Sequence, residues 1–176
     1  METRESFFMP VMEAVRTRRS IRNYLDKPVE KEKLDLIMEA ARNAPSARNE
    51  QMWRFIVVRD PDLLKLLYAA AYEQPAVREA PCAIVACGTG SRVMDCGQPT
   101  DTVNLSIAMA YILLEAHEQG LGTCWLGRFD ADAVRAALGI PADVSVVAFT
   151  PLGYPAVVPE ARPRKPVEEV VSWDKY

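Results

Sequence analysis

The chain of 176 residues predicts an α+β fold or a three-layer α/β sandwich. Three observations carry that reading. Short apolar segments rich in β-branched and aromatic residues lie at 53–58, 83–88 and 144–149, and these read as strands. Helix-patterned segments separate them. The length suits a single domain, 1–176, with enough chain to bury a sizeable core.

Composition narrows the function classes. Hydrophobic residues make up 49% and charged residues 26%, the balance of an ordinary globular protein, and the net charge is −3. A chain that gripped nucleic acid through its basic residues would carry a positive balance, so local basic clusters point to a small anion. The four cysteines, at 82, 87, 96 and 124, form no CxxC, and the single histidine, His117, completes no metal quartet. Cys82 and Cys87 fall in an apolar run and read as buried hydrophobes, which fits free thiols in a reducing cytoplasm. The opening segment, METRESFFMP, lacks the apolar region of a signal peptide, and no apolar run reaches the roughly 20 residues of a membrane span.

Taken in order, Pro10 starts a short helix through Val11, Ala14 and Val15. At its end sit four arginines within residues 16–22: Arg16, Arg18, Arg19 and Arg22, with Ser20 among them. Arginine keeps its charge and bonds phosphate bidentately, so this is a candidate phosphate clamp, the plainer alternative being a basic helix end. A second helix covers about 30–42, with Leu34, Ile37, Met38 and Ala41 on one stripe. The polar loop 45–51 then leads into the first strand, a position suited to function. A third helix runs from Pro61 to about Tyr72, and Pro75 breaks the chain after it. The strand 83–88 is apolar throughout and is expected at the sheet centre. Gly88-Thr89-Gly90 is no dinucleotide fingerprint, and 89–100 reads as a loop.

The longest helix, 101–119, should be capped by Asp101, and it is apolar on nearly every side through Leu114. In so short a chain its full burial calls for a partner subunit. Three glycines within 120–127 suggest close backbone approach to something flat or bulky. A helix from Asp130 to Leu138 stops at Gly139. Prolines at 151, 155, 159, 163 and 166 forbid a helical tail, which carries a second basic group, Arg162, Arg164 and Lys165. Val167 to Val171 reads as a final strand at a sheet edge or on a partner.

Read together, Arg-Arg-Ser-Ile-Arg at 18–22, Ala-Pro-Ser-Ala-Arg-Asn-Glu-Gln-Met-Trp-Arg-Phe at 44–55, Gly-Leu-Gly-Thr-Cys-Trp-Leu-Gly at 120–127, Pro-Leu-Gly-Tyr-Pro at 151–155 and Arg-Pro-Arg-Lys-Pro at 162–166 resemble the nitroreductase family of flavin-dependent oxidoreductases. The resemblance spans about residues 10–173. It implies bound FMN, NADH or NADPH as a transient electron donor, and a homodimer with flavin at the interface. It also implies a three-layer α/β/α sandwich with a mostly antiparallel sheet and a C-terminal segment exchanged between subunits. By the same resemblance, Arg18, Ser20 and Arg22 are cofactor contacts, with Arg19 contributing through its backbone. Arg164, with Arg162 or Lys165, forms a second set of phosphate ligands. Pro45, Ser46, Ala47 and Asn49, and more weakly Gln51, match the loop that reaches the flavin of the other subunit. Trp125, Leu126 and Gly127 match the stretch whose backbone approaches the flavin ring. No side chain is singled out as catalytic.

Two departures stand out. Met52 occupies a position where the family usually has proline. A polar flavin contact before the second strand has two candidates, Glu73 and Gln74. The activity implied is reduction of a nitroaromatic, quinone or similar flat acceptor by a ping-pong route. The alternatives are a specialised relative (a reductive dehalogenase or a flavin-fragmenting enzyme, with 88–100 as its lid), a low-turnover flavin sensor, or an anion- or nucleic-acid-binding protein.

Overall fold

A computed structural model describes residues 10–176, so most of the opening segment expected to lack a signal peptide lies outside the described residues. The first helix is α1 (Val11–Thr17), followed by α2 (Lys31–Arg42), strand β1 (Trp53–Val58), α3 (Pro61–Ala70), a single-turn α4 (Pro75–Arg78) and β2 (Cys82–Gly88). The second half holds α5 (Thr100–Glu118), the two-residue β3 (Gly122–Thr123), α6 (Ala131–Leu138) and β4 (Ser145–Gly153). The strands form one antiparallel sheet in the order β1-β2-β4-β3.

The apolar strand β2 is central, as its composition requires, and its alternation divides the core into two layers. Cys82, Ile84 and Ala86 face α2 and α5 together with Leu34, Ile37, Leu105, Met109 and Ile112. Ala83, Val85 and Cys87 face the other way, against α3, α4 and α6, with Leu67, Val77, Val134 and Phe149. A bulge in the β2–β4 register, where Ala86 pairs Ala148 but Cys87 pairs Val146, leaves Val147 as the extra residue. The bulge moves Val146 to the second layer, whereas Ala148 serves the first. The result is an α+β, three-layer arrangement.

The helix ends follow their local chemistry in places. Asp60 and Asp130 each accept two backbone N–H groups at the starts of α3 and α6, and Gly139 ends α6 in a left-handed conformation (φ 63°). Four readings need correction. Asp101 does not cap α5: the helix starts at Thr100 after Pro99, and the Asp101 carboxylate is drawn to Ser91 and Ser145 instead. The short β3 had no strand signal, because two residues are too few for a period to show. Val167–Glu169 is a 3-10 turn rather than a strand, entered through Pro166 and closed by Val170 N–H donating to Val167 C=O. Pro75 starts α4 instead of only breaking the chain. Among the described residues, no helix is long and apolar enough to cross a membrane.

Candidate functional site

The segment after α1 is built as an extra strand on the sheet edge. Ser20 forms a parallel bridge with Thr123 of β3, and Ile21 N–H donates to Thr123 C=O at 2.8 Å. The buried Tyr24 hydroxyl donates to Ile21 C=O at 2.8 Å, and burial pushes its pKa well up, so it stays a donor. Gly122 makes this approach possible, since a Cβ there would lie 2.5 Å from Ile21 Cγ1. The bulky group expected beside the glycines is therefore, at Gly122, a side chain of the same protein.

The C-terminal segment is laid on the same edge. Leu25 N–H donates to Tyr154 C=O, and Ala156 N–H donates to Asn23 C=O, each at 2.9 Å. Beyond that pairing the tail turns back over the end of α1. The two basic clusters, remote in sequence, line one cavity of about 710 Å³. Arg16, Arg18, Arg19, Ser20 and Arg22 form one wall, and Glu160, Arg162 and Arg164 the other. Six arginines against one glutamate make a strongly cationic cradle, and among the described residues none of the six is in an ion pair. Such guanidinium groups suit a phosphate, with Ser20 as an added hydroxyl donor. Lys165 is not part of the lining; its amino group lies 3.8 Å from Glu169. The Arg19 side chain folds back on α1, donating to Arg16 C=O at 2.8 Å and Arg18 C=O at 3.0 Å, so it also serves the helix end. Arg16 is exposed and also lines the cavity.

The loop Pro45, Ser46, Ala47, Asn49 and Gln51 stands apart from this cavity. Arg48, Asn49 and Gln51 have left-handed backbones, with φ of 53°, 56° and 52°. Each such residue costs about 1–3 kcal/mol and persists only where its surroundings enforce it. Ser46 Oγ accepts Gln51 N–H at 3.1 Å, and the side-chain oxygen of buried Asn104 on α5 accepts Ala47 N–H at 3.0 Å. Arg92, from the 89–99 segment, forms an ion pair with Glu50. That segment is a small hairpin: Val93 bridges Pro99, Arg92 N–H donates to Thr100 Oγ1 at 3.0 Å, and Thr100 N–H donates to Arg92 C=O at 2.9 Å. Asp101 ties it down, accepting from Ser91 Oγ at 2.6 Å, Ser145 Oγ at 2.8 Å and Thr102 N–H at 2.8 Å. Burial opposes the charge of Asp101, but these hydrogen bonds outweigh it and hold the carboxyl below its ordinary pKa.

Met52 also finds a structural place. Its carbonyl accepts Thr89 N–H at 3.2 Å and its sulfur packs so close over Gly90 that a Cβ there would approach it to 2.9 Å. Of the two uncommitted residues, Gln74 is used within the fold: its amide donates to Ala71 C=O at 3.0 Å and Arg128 C=O at 2.7 Å. Glu73 sits in the left-handed turn before α4, with φ of 55°.

Along the stretch 125–127 the N–H groups alternate. Leu126 N–H is spent on Phe149 C=O at 2.9 Å, whereas Trp125 and Gly127 N–H have no hydrogen-bond partner among the described residues. Neighbouring Cys124 is buried, and that burial raises its thiol pKa against the opposing pull of Arg22 and Arg18. It therefore offers no thiolate nucleophile. The positioning roles of Asn104, Asp101 and Glu50 escaped the sequence reading; a polar Asn104 on an otherwise apolar helix was the available signal.

Comparison with known proteins agrees with this arrangement. The family model described as Nitroreductase family matches residues 15–95 and 69–154. A relative from Methanothermobacter thermautotrophicus is 39% identical over 165 residues, covering 88% of this chain and 82% of its own. The NADH dehydrogenase of Thermus thermophilus is 35% identical, with 94% and 98% coverage. The solved structure of an FMN-dependent nitroreductase from Clostridium difficile superposes with a TM-score of 0.81 at 32% identity, over 94% of this chain and 99% of that one. With the motifs, the fold and these matches in agreement, the chain belongs to the nitroreductase family.

Proposed function

We propose that the protein is an FMN-dependent oxidoreductase that takes electrons from NADH or NADPH and passes them to a flat acceptor such as a nitroaromatic or a quinone. The observation that carries this reading is the meeting of the two arginine clusters in one cavity. The residues fit the cofactor: a phosphate carries nearly two negative charges, and the chain offers an arginine cradle with no ion-paired partner among the described residues instead of a glycine-rich phosphate loop. Bound there, FMN supplies the reversible hydride acceptance that no protein side chain provides.

The remaining work falls to the chain. Arg18, Ser20, Arg162 and Arg164 hold the phosphate end. Arg22, whose guanidinium donates to Ser20 C=O at 3.4 Å, would supply positive charge to the ring, where it would favour the reduced form of the cofactor. The N–H groups of Trp125 and Gly127, without a partner among the described residues, would orient the ring's polar edge. Pro45, Ser46, Ala47, Asn49 and Gln51 serve the flavin of a partner subunit. Donor and acceptor use one open site in turn, which gives ping-pong kinetics. No side chain is assigned as an acid or base.

A homodimer accounts for the surface that one subunit leaves bare. Val11, Met12 and Val15 on α1, Tyr111 on α5, and Val157, Val158 and Trp173 in the tail are all exposed, Trp173 at 86%. Every residue from 156 to 176 is exposed in a single chain, and the stretch beyond the cavity wall, 165–176, with so little of its own packing, is covered by crossing to a second subunit.

Anaerobic reduction of the purified, flavin-loaded protein by NADH and by NADPH, followed by reoxidation with quinones and nitroaromatics, tests the proposal. Rapid bleaching and acceptor-driven recovery are expected. A colourless protein that takes up no FMN overturns it.

A further inference from the structure

The 89–99 hairpin, within the 88–100 segment that a specialised relative would use as its lid, is tied down at its base, and its arginine is turned toward the strained loop. Arg92 is fixed in both directions along its backbone by Thr100, and its neighbour Ser91 by Asp101, so it projects from the first turn of α5. Its guanidinium meets Glu50, which lies between Asn49 and Gln51, two of the three residues held in left-handed backbone. Glu50 Oε1 takes the ion pair; Oε2 is closed off from water with no partner among the described residues. The loop's other ties, Asn104 to Ala47 and Ser46 to Gln51, hold its start and close it on itself. Among the described residues, Arg92 is the side chain that ties its second half from outside, and Thr89 N–H holds the adjoining Met52 C=O.

We propose that the Arg92–Glu50 pair is a positioning strut for the cofactor-facing loop, so that the hairpin is part of the flavin-binding frame and not a lid. The inference rests on the FMN reading above. Its energetics are asymmetric. Arg92 is partly exposed and, once released, reaches water; Glu50 is the more enclosed partner and, once released, is left as a lone carboxylate. Arg92→Ala therefore harms the loop more than Glu50→Ala does, and the double variant is no worse than Glu50→Ala alone.

The test is FMN titration of the full-length apoprotein, followed by flavin-fluorescence quenching, with visible spectra of the loaded form and thermal melts of the apo form. Arg92→Ala is expected to raise the FMN Kd about tenfold or more and to blur the fine structure of the bound-flavin band. Glu50→Ala gives a smaller change, which the double variant reproduces. Unchanged Kd and spectra in both single variants, effects that add in the double variant, or a lower melting temperature with binding and spectrum intact would each overturn the strut. Failure of the wild-type protein to bind FMN would instead overturn the functional reading itself.

Discussion

The backbone N–H of Ala156 donates to the carbonyl of Asn23 at 2.9 Å. This bond, next to the Tyr24–Pro155 bridge, lays the start of the C-terminal tail along the segment that follows α1. From there the chain reaches Arg162 and Arg164 within a few residues, already beside Arg18 and Arg22. One edge pairing thus assembles the cationic cradle from opposite ends of the sequence.

The two halves of the cradle should separate by function. Arg164→Ala removes a charge-assisted hydrogen bond, each such bond contributing about 1.5–3 kcal/mol, so the FMN Kd should rise about 10- to 100-fold. Arg22→Ala should leave more of the binding and lower the midpoint potential of the bound flavin by about 30 mV or more, as the reduced form loses its nearby cation. Fluorescence titration and redox titration distinguish the outcomes; equal effects on both readouts would contradict the division.

Gly122→Ala should loosen the edge pairing on which the cradle depends. The new Cβ would meet Ile21 Cβ at 2.6 Å as well as Cγ1 at 2.5 Å, so trimming Ile21 to alanine cannot relieve the clash. Overpacking of this kind costs about 1–3 kcal/mol. A melting temperature lower by several degrees is expected, with weaker FMN binding and no recovery in Gly122→Ala/Ile21→Ala.

Assembly should respond to Tyr111 and not to Met109. The apolar α5 invites the expectation that Met109 lies at a subunit interface, but Met109 is 0% exposed within one chain and belongs to the core beside Leu105 and Ile112. Tyr111 is 40% exposed on the bare side of the helix. Tyr111→Glu should yield folded monomer with weakened flavin retention, seen by light scattering. Met109→Glu should prevent folding of the subunit. A dimeric Tyr111→Glu protein would place the interface elsewhere.

Acid should weaken the apoprotein through His117. Thr17 donates its hydroxyl proton to Glu13 C=O at 2.7 Å, so its oxygen accepts from His117 Nε2 at 2.8 Å, joining α5 to α1. Burial lowers the pKa of His117, and so do Arg18 and Arg19, with Glu118 opposing. The folded form then binds fewer protons than the unfolded chain. This contribution to stability is whole above about pH 6.5 and is lost as pH falls from there through the lower folded pKa. Melting temperatures between pH 5 and 8 should fall on acidification, less steeply in His117→Gln. Phosphate in the cradle offsets the field of Arg18 and Arg19, so the FMN-loaded protein should also show a flatter profile.

Much of the fold and the candidate site can be read from residue types and spacing. Apolar strands, Asp130 before α6, Gly139 after it and the dense arginines near residue 20 all act through local chemistry, which a linear pattern records. The tail cannot be read in this way. Its prolines show only that it is not helical; pairing to Asn23 and Leu25 depends on where the sheet edge lies. Asp101 shows the same limit from the other side. Its position before an apolar helix suggests a cap, but Ser91 and Ser145 compete for its oxygens and win.

By itself, the sequence determined the longer strands and helices, that β2 is central, and that two cationic clusters suit a small anion; its resemblance to the family added the loop residues as candidates for the cofactor. The elements and the cationic clusters follow from periodicity, propensity and side-chain chemistry within a few residues. Only the tertiary structure decided that Arg162 and Arg164, without Lys165, join Arg18 and Arg22, that Met109 belongs to the core of a single chain, and that Arg92 pairs with Glu50. Each of these depends on distances across the fold, set by the packing of the sheet edge and α5, which no local pattern contains.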